Sequence, residues 1–525
     1  MNKILTLPFI LITLIASANN VQLTNISVTN NGTNTGKIIE FDLTWENSWR
    51  TASTGNWDGV WVFFKFKDND GTWYPLHFTG TDIIMPAGAA YEMGNSGVVT
   101  GVGMFIYRAA NGFGTAVATG IKAGIESFPG TFEIRGFALE MVFVPGGSFW
   151  LGDETSVNSY KEGSTANSPF QVTANGAGTN MGSSTGLLYD PQSAYSGNIP
   201  GFPTGYSGFW MMKYELSQGG YRDYFNTLTY TQQLNRLRDI FSNPASPTGT
   251  SINNSAACCR QYMEIAIPGN STTNTPAVIG LDADGDNIFN EATDGEWITA
   301  TYFTWPDVAS YLDWAGLRPM TELEFEKACR GPLTPVAGEF AWGTNTIASY
   351  PYTIANAGTA TENISNMSAI LGNCNSGTSL VSLLRGGIFA TGVSTRVSAG
   401  AGYYGTMELS GNISEIAITT GNEAGRSFNG KLGDGLLTTA GNANENNWPG
   451  VNGNTGTNVA PGNYDGGLGV RSDGGIRWRG GGFTQINNDS YKVSDRILFS
   501  GNGTDIFTNQ TNKSFVGIRG VRDAN

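Results

Sequence analysis

The stretch Leu317-Arg318-Pro319-Met320-Thr321-Glu322-Leu323-Glu324-Phe325-Glu326-Lys327-Ala328-Cys329-Arg330-Gly331 governs how the larger part of this chain is read. Thr321 followed three residues later by Glu324 is a capping box. The hydroxyl accepts a free N–H of the first turn while the carboxylate reaches back to the cap. Phe325 and Ala328 then face a core, and Gly331 closes the helix where a left-handed residue is wanted. Upstream, Trp305-Pro306-Asp307 opens another helix, with proline where its missing N–H costs nothing. Residues 209–217 read as a strand running into a helix that carries Tyr221, Tyr224, Phe225 and Leu228. Residues 231–241 read as a further helix. From Glu140 onward the chain is otherwise long, Gly- and Asn-rich and irregular. Such backbone needs side-chain partners for its buried polar groups, and the recurring Arg, Asn and Trp residues supply them.

Residues 19–136 have a different texture. Short runs rich in β-branched and aromatic residues (38–45, 60–66 and 103–107) are bounded by turns such as Asn69-Asp70-Gly71, which predicts strands and an all-β sandwich. The expected fold class is therefore α+β with much irregular structure. A β-sandwich over 19–136 precedes a second domain over 137–525, which carries an inserted segment at about 245–300. His77 lies in one of the predicted strands and reads as a packed histidine rather than a ligand.

Composition narrows the function. The 525 residues carry a net charge of −14, and only 14% are charged, against about a quarter in ordinary soluble proteins. No tract clusters Lys and Arg, which excludes a phosphate-backbone binder. His77 is the one histidine of the chain, which excludes centres built from several imidazoles. Lys3, an apolar run over 4–15 and Ala16-Ser17-Ala18 form a signal-peptide pattern over 1–18. No later run reaches the length of a membrane span. The expectation is a secreted, extracellular or cell-surface protein with no membrane span. Cys258, Cys259, Cys329 and Cys374 suit an oxidising compartment. Because a bond between neighbours strains the backbone, one or both of Cys258 and Cys259 are expected to pair with Cys329 or Cys374.

Seven segments, taken in order, resemble the formylglycine-generating enzyme family, or sulfatase-modifying factor domains. They are residues 140–152, 213–225, 314–331, Ala341-Trp342-Gly343, Leu409-Ser410-Gly411-Asn412-Ile413-Ser414-Glu415, Arg479-Gly480-Gly481-Gly482-Phe483 and Phe515-Val516-Gly517-Ile518-Arg519. The resemblance spans about 140–522 and implies a C-type-lectin-like fold. It implies a copper-dependent oxidase only where the family's cysteine pair stands between the Arg-Gly-Gly block and the closing Gly-x-Arg. Here that interval, 484–516, contains no cysteine. Thiolate is the soft ligand that holds Cu(I), and Ser490, Ser494 or Ser500 does not replace it. The family's iron-dependent branch needs several histidines. Neither copper nor iron is therefore expected, no catalytic residue is assigned, and the chain reads as a non-catalytic member.

The resemblance also implies a calcium site that takes backbone carbonyls and a glutamate. The matching positions are Ser410, Gly411, Ile413 and Glu415, an oxygen-only set that suits a hard cation. Independently of it, Asp282-Ala283-Asp284-Gly285-Asp286-Asn287-Ile288-Phe289-Asn290 alternates carboxylates as a calcium loop does. Asp282, Asp284 and Asp286 take positions one, three and five, the Ile288 carbonyl position seven and Asn290 position nine. Thr293 stands at the twelfth position, so Asp294 or Glu296 would close the set.

Three functions follow. The first is an exported structural subunit of a bacterial surface filament or layer, a homo-oligomer or homopolymer. The second is a secreted lectin-like module displaying the loops Ile486-Asn487-Asn488-Asp489-Ser490-Tyr491 and Gly501-Asn502-Gly503-Thr504-Asp505 to a surface glycan or protein ligand. The third, the least favoured, is a formylglycine-generating oxidase.

Overall fold

A computed structural model describes residues 20–525 except 31–35, 53–54, 97–98, 129–131, 157–158, 164–167, 183–185, 190–194, 238–242, 253–258, 349–350, 378–381, 422, 450, 453–456, 459–474, 486–487 and 497–515. The predicted signal peptide lies outside the described residues. So do the loop 501–505 and residues 238–241 of the helix expected over 231–241.

Eight strands lead the chain: β1 (Gln22–Asn30), β2 (Lys37–Thr51), β3 (Asn56–Lys67), β4 (Trp73–Leu76), β5 (Ala89–Ser96), β6 (Val99–Arg108), β7 (Gly112–Ile125) and β8 (Glu133–Val144). β2 pairs β1 on one side and β7 on the other, forming one layer. β3 pairs β4, β6 and β8 in the facing layer. Successive strand residues point to opposite faces. Val60, Val62 and Phe64 of β3 therefore meet Phe41, Leu43, Met104 and Ile121 in the core between the layers. The alternate residues Trp61 and Phe63 turn outward. They are no less buried, because they pack against Trp314, Tyr224 and Leu312 of the second region. The strands expected over 19–136 thus form two facing layers, and the layer that holds β3 is covered on both faces. His77 is half-buried beside Glu126, Nδ1 to Oε1 3.2 Å.

The boundary expected at 136/137 falls inside β8. That strand pairs β3 along its length and pairs the strand Phe209–Met212 at its C-terminal end, with Val142 opposite Met211. The sheet then continues through Gly520–Asp523, Arg318–Thr321, Ser414–Ile418 and Ile476–Arg479. The two regions are thus joined through one sheet rather than by a linker.

Helices are few: α1 (Gln218–Phe225), α2 (Tyr230–Arg236), α3 (Trp305–Trp314) and α4 (Glu322–Arg330) are the longer ones. Thr321 and Glu324 form the expected capping box of α4, Pro306 stands in the first turn of α3, and Gly331 follows α4 at φ 68°. The molecule is α+β, dominated by strands. Among the described residues no helix is long and apolar enough to cross a membrane.

Candidate functional site

The strand Ser414–Ile418 places Glu415 deep in the molecule. It runs antiparallel to Ile476–Arg479, Glu415 opposite Arg479, and parallel to Val516–Gly517, Glu415 opposite Gly517. Glu415 is fully buried. Its Oε1 accepts from Arg519 Nε at 2.9 Å, and the same guanidinium donates to the Met212 and Met407 carbonyls at 2.8 Å each. Its Oε2 has no hydrogen-bond partner. It faces Gly480, where a Cβ would stand 2.7 Å from that oxygen and 3.0 Å from the Leu409 carbonyl.

Two more buried carboxyls lie close by. Glu215 accepts from Ile413 N at 3.1 Å and Thr299 Oγ1 at 3.0 Å, while Glu408 accepts from Gly387 N at 2.6 Å. Burial pushes Glu408 and Glu415 up to about 7, against the pull of Arg519. Burial and the repulsion of Glu415 and Glu408 raise Glu215 further. With one guanidinium among three buried carboxyls, repulsion and desolvation both act against all three being charged together.

The free Oε2 of Glu415 is the kind of oxygen calcium takes, but Arg519 already supplies a cation on the other oxygen. The Ser410 hydroxyl donates to Tyr491 O at 2.7 Å and receives Ala341 N–H at 3.0 Å. No trio of acidic, Cys or His side chains converges on Glu415 among the described residues. At Glu415, then, Arg519 holds one carboxylate oxygen and the other is left without a hydrogen-bond partner.

The acidic loop is better built. Ligand atoms of Asp282, Asp284 and Asp286 lie within 4.8 Å of one another, and so do those of Asp284, Glu291 and Asp294. Asp282 is buried and receives the N–H of Gly285 at 2.7 Å and of Asn287 at 2.9 Å. Asp294, also buried, receives Ala283 N at 3.1 Å and Glu291 N at 2.8 Å, which ties both ends of the loop to one carboxylate. Glu296 turns away to Arg222, 2.8 Å distant. The choice the sequence left open thus falls on Asp294.

Asn290 Oδ1 receives Leu281 N and Arg222 Nη1 instead of facing the loop. Glu291 joins the cluster without having been expected. Desolvation and the charges of Asp286, Asp294, Asp284 and Asp282 push its carboxyl upward. Asn287 sits at φ 65°, the left-handed conformation position six of such a loop requires. A third acidic group, Asp313, Asp434 and Glu445, has Lys431 on Glu445 and Lys65 near Asp313 and Asp434.

Around the interval where the family's thiols would lie, the described polar residues are engaged in buried ion pairs and hydrogen bonds. Glu322 accepts from Arg479 Nη1 at 2.9 Å, Arg496 Nε at 2.9 Å and Tyr160 Oη at 3.0 Å. Burial alone would raise its carboxyl, but Arg496, Arg479 and Arg477 hold it far below the usual range. Ser494 donates to Glu326 at 3.0 Å and receives from Arg330 at 2.8 Å. Tyr491, expected on a displayed loop, is wholly buried, and its hydroxyl donates to the carbonyls of Gly482 and Gln485. The expected pairing of Cys258 or Cys259 with Cys329 or Cys374 is not formed. Cys329 and Cys374 are free and buried, on separate apolar clusters, and burial pushes both thiols upward. Cys259 is disulfide-bonded, and Cys258 lies outside the described residues.

Residues 135–524 match the family model of the sulfatase-modifying factor enzyme 1-like domain. The chain belongs to that family. It is 26% identical over 157 residues to the formylglycine-generating enzyme of Mus musculus, a match covering 29% of this chain and 38% of that protein. The chain thus spans well under half the length of that relative.

Proposed function

We propose that this chain is a non-catalytic member of its family, an exported subunit of a bacterial surface filament or layer with calcium bound at the 282–294 loop. One observation carries the non-catalytic reading. The interval 484–516 has no cysteine, and the free thiols of Cys329 and Cys374 are buried on separate clusters. Copper(I) held by thiolates needs two soft ligands within reach of each other, and these residues do not supply them. The edge of β7 supports the assembly reading. Among the described residues this strand pairs only β2 over Gly112–Thr119, with Arg108 on the Gly114 and Thr115 carbonyls, and Phe113 and Val117 stand 76% and 61% exposed. An open strand edge is a template for a second copy.

The test has two arms on the purified chain. With Cu(I) and a cysteine-containing sulfatase peptide, no copper is retained stoichiometrically and no peptide aldehyde forms. In sedimentation at rising concentration, species larger than the monomer accumulate. Aldehyde formation overturns the first reading, and a single monomer peak with and without calcium overturns the second.

A further inference from the structure

Asp58, Glu140 and Lys213 come from three neighbouring strand segments and meet at one buried point that the preceding site does not use. Asp58 lies on β3 and Glu140 on β8, two registers apart, since Asp58 opposes Val142 and Val60 opposes Glu140. Lys213 follows the strand Phe209–Met212, and its N–H donates to the Glu140 carbonyl at 2.9 Å. Its Nζ lies 3.2 Å from Asp58 Oδ2 and 2.8 Å from Glu140 Oε2. The three side chains are 3%, 0% and 1% exposed in the order Lys213, Asp58, Glu140. The Trp49 ring lies 4.8 Å from Nζ.

As an ion-pair cluster this arrangement is poorly made. It sets two acids against one amine in a dry interior, and Glu140 Oε1 has no hydrogen-bond partner. Buried ion pairs with incomplete partners lose more to desolvation than they gain. As a reaction centre every part has a use.

We propose that Asp58 and Lys213 form an intramolecular amide, with Glu140 as the proton carrier. Asp58 Oδ1 receives two hydrogen bonds, from Ser48 Oγ and from Trp49 N, each at 2.9 Å. Those donors polarise the carboxyl carbon and are placed to hold the negative oxygen of a tetrahedral intermediate. Oδ2 is left towards the amine as the departing oxygen.

The steps balance. With one of the two acids protonated, the three groups are neutral overall, and a proton passes from Nζ to Asp58 to leave a free amine and a carboxylic acid. Burial favours the uncharged forms, but Glu140, Tyr214 and Asp58 hold the Lys213 amine well above its ordinary value, so the attacking free amine is the minor form. Nζ attacks Cγ of Asp58, forming the C–N bond. Glu140, by then a neutral acid, gives its proton to Oδ2 and takes one from the nitrogen, ending as it began, general acid–base work in one group. The C–Oδ2 bond breaks and one water leaves. No oxidant and no cofactor enters. Fixed positioning supplies the acceleration that free amine and acid lack.

The amide would close a loop between residues 155 apart in sequence and staple β3 to the first strand of the second region, across β8. Unlike a disulfide, it is indifferent to reductants. This inference does not rest on the assembly reading.

The test is mass spectrometry of the full chain, purified folded at neutral pH. After reduction of its disulfide, the intact mass is expected to fall one water below that of the processed sequence. Tryptic digestion should yield a branched peptide joining the segments that hold Asp58 and Lys213, with no cleavage after Lys213. Glu140→Gln should give linear chain at full mass, and so should Lys213→Arg, whose guanidinium keeps the charge but is a poor nucleophile. Asp58→Asn should cross-link with loss of ammonia, giving the same product mass as the unsubstituted chain. Linear peptides with unmodified Asp58 and Lys213 from the unsubstituted chain overturn the proposal, whatever the variants do. A fully cross-linked Glu140→Gln variant overturns the role given to Glu140.

Discussion

Lys65 illustrates what a single residue can hide. It sits on the β3 face that carries Trp61 and Phe63, is fully buried, and donates from Nζ to the Gly435 carbonyl at 2.5 Å. Burial lowers its amine to about 7, against the pull of Asp313 and Asp434. The sign follows from the depressed value. Between about 7 and 10.5 the unfolded chain holds a proton that the folded chain has released, so stability rises with pH through that window and is lost as pH falls through about 7. Lys65→Met keeps the apolar stem and removes the charge. It should flatten the pH dependence between 7 and 10 and raise stability at pH 7 by on the order of 1–2 kcal/mol. Denaturant unfolding at a series of pH values checks this, and an unchanged slope would contradict it. The sequence showed Lys65 only as a polar interruption in an apolar run. Glu215 and Glu408 were equally silent, because a buried carboxyl looks like any other until its neighbours are known.

At the scale of elements, local chemistry was legible and long-range partnership was not. Thr321 and Glu324 make their capping box from residues three apart, and the aspartates 282, 284 and 286 converge through a loop that folds on itself. The closing residue of that loop lay just beyond the reach of spacing alone. Asp294 closes it from the thirteenth position through two backbone N–H groups, while Glu296 answers to Arg222 on α1. The same reasoning hid the join at β8, since a strand buried on both faces reads alike whichever strands flank it. Calorimetric calcium titration separates the two acids. Asp294→Asn should weaken binding at least tenfold, about 1.4 kcal/mol, whereas Glu296→Gln should leave it within about twofold. Equal losses in both variants, or no heat from the unsubstituted chain at millimolar calcium, would remove the loop as a site.

For the whole molecule, the proposed assembly needs a surface through which copies of a chain with so few charges would meet. The N-terminal layer β1–β2–β7 covers one face of the shared sheet, so that sheet offers no free face there, and contact must come from its rim. Over Gly112–Thr119, β7 points Phe113, Thr115, Val117 and Thr119 outward while its inward residues Ala116 and Ala118 seal the core. The strand's own residues carry no charge along this stretch, and among the described residues the one charged group on it is Arg108, which donates to the Gly114 and Thr115 carbonyls at 2.8 and 3.1 Å. Natural edges that must not pair usually bear Lys, Pro or a covering loop, and here the covering contacts of Phe78 and Ile84 reach only Lys122 and Ile125. Sparse charge over the whole chain lowers the repulsion that would keep copies apart. Phe113→Lys combined with Val117→Lys places two like charges on each copy's edge without touching the core. Exposed substitutions of this kind shift stability by only about 0.5 kcal/mol, so thermal unfolding should be nearly unchanged. Sedimentation of this variant should show monomer at concentrations where the unsubstituted chain forms larger species. If both chains sediment alike as polymers, contact runs through another surface.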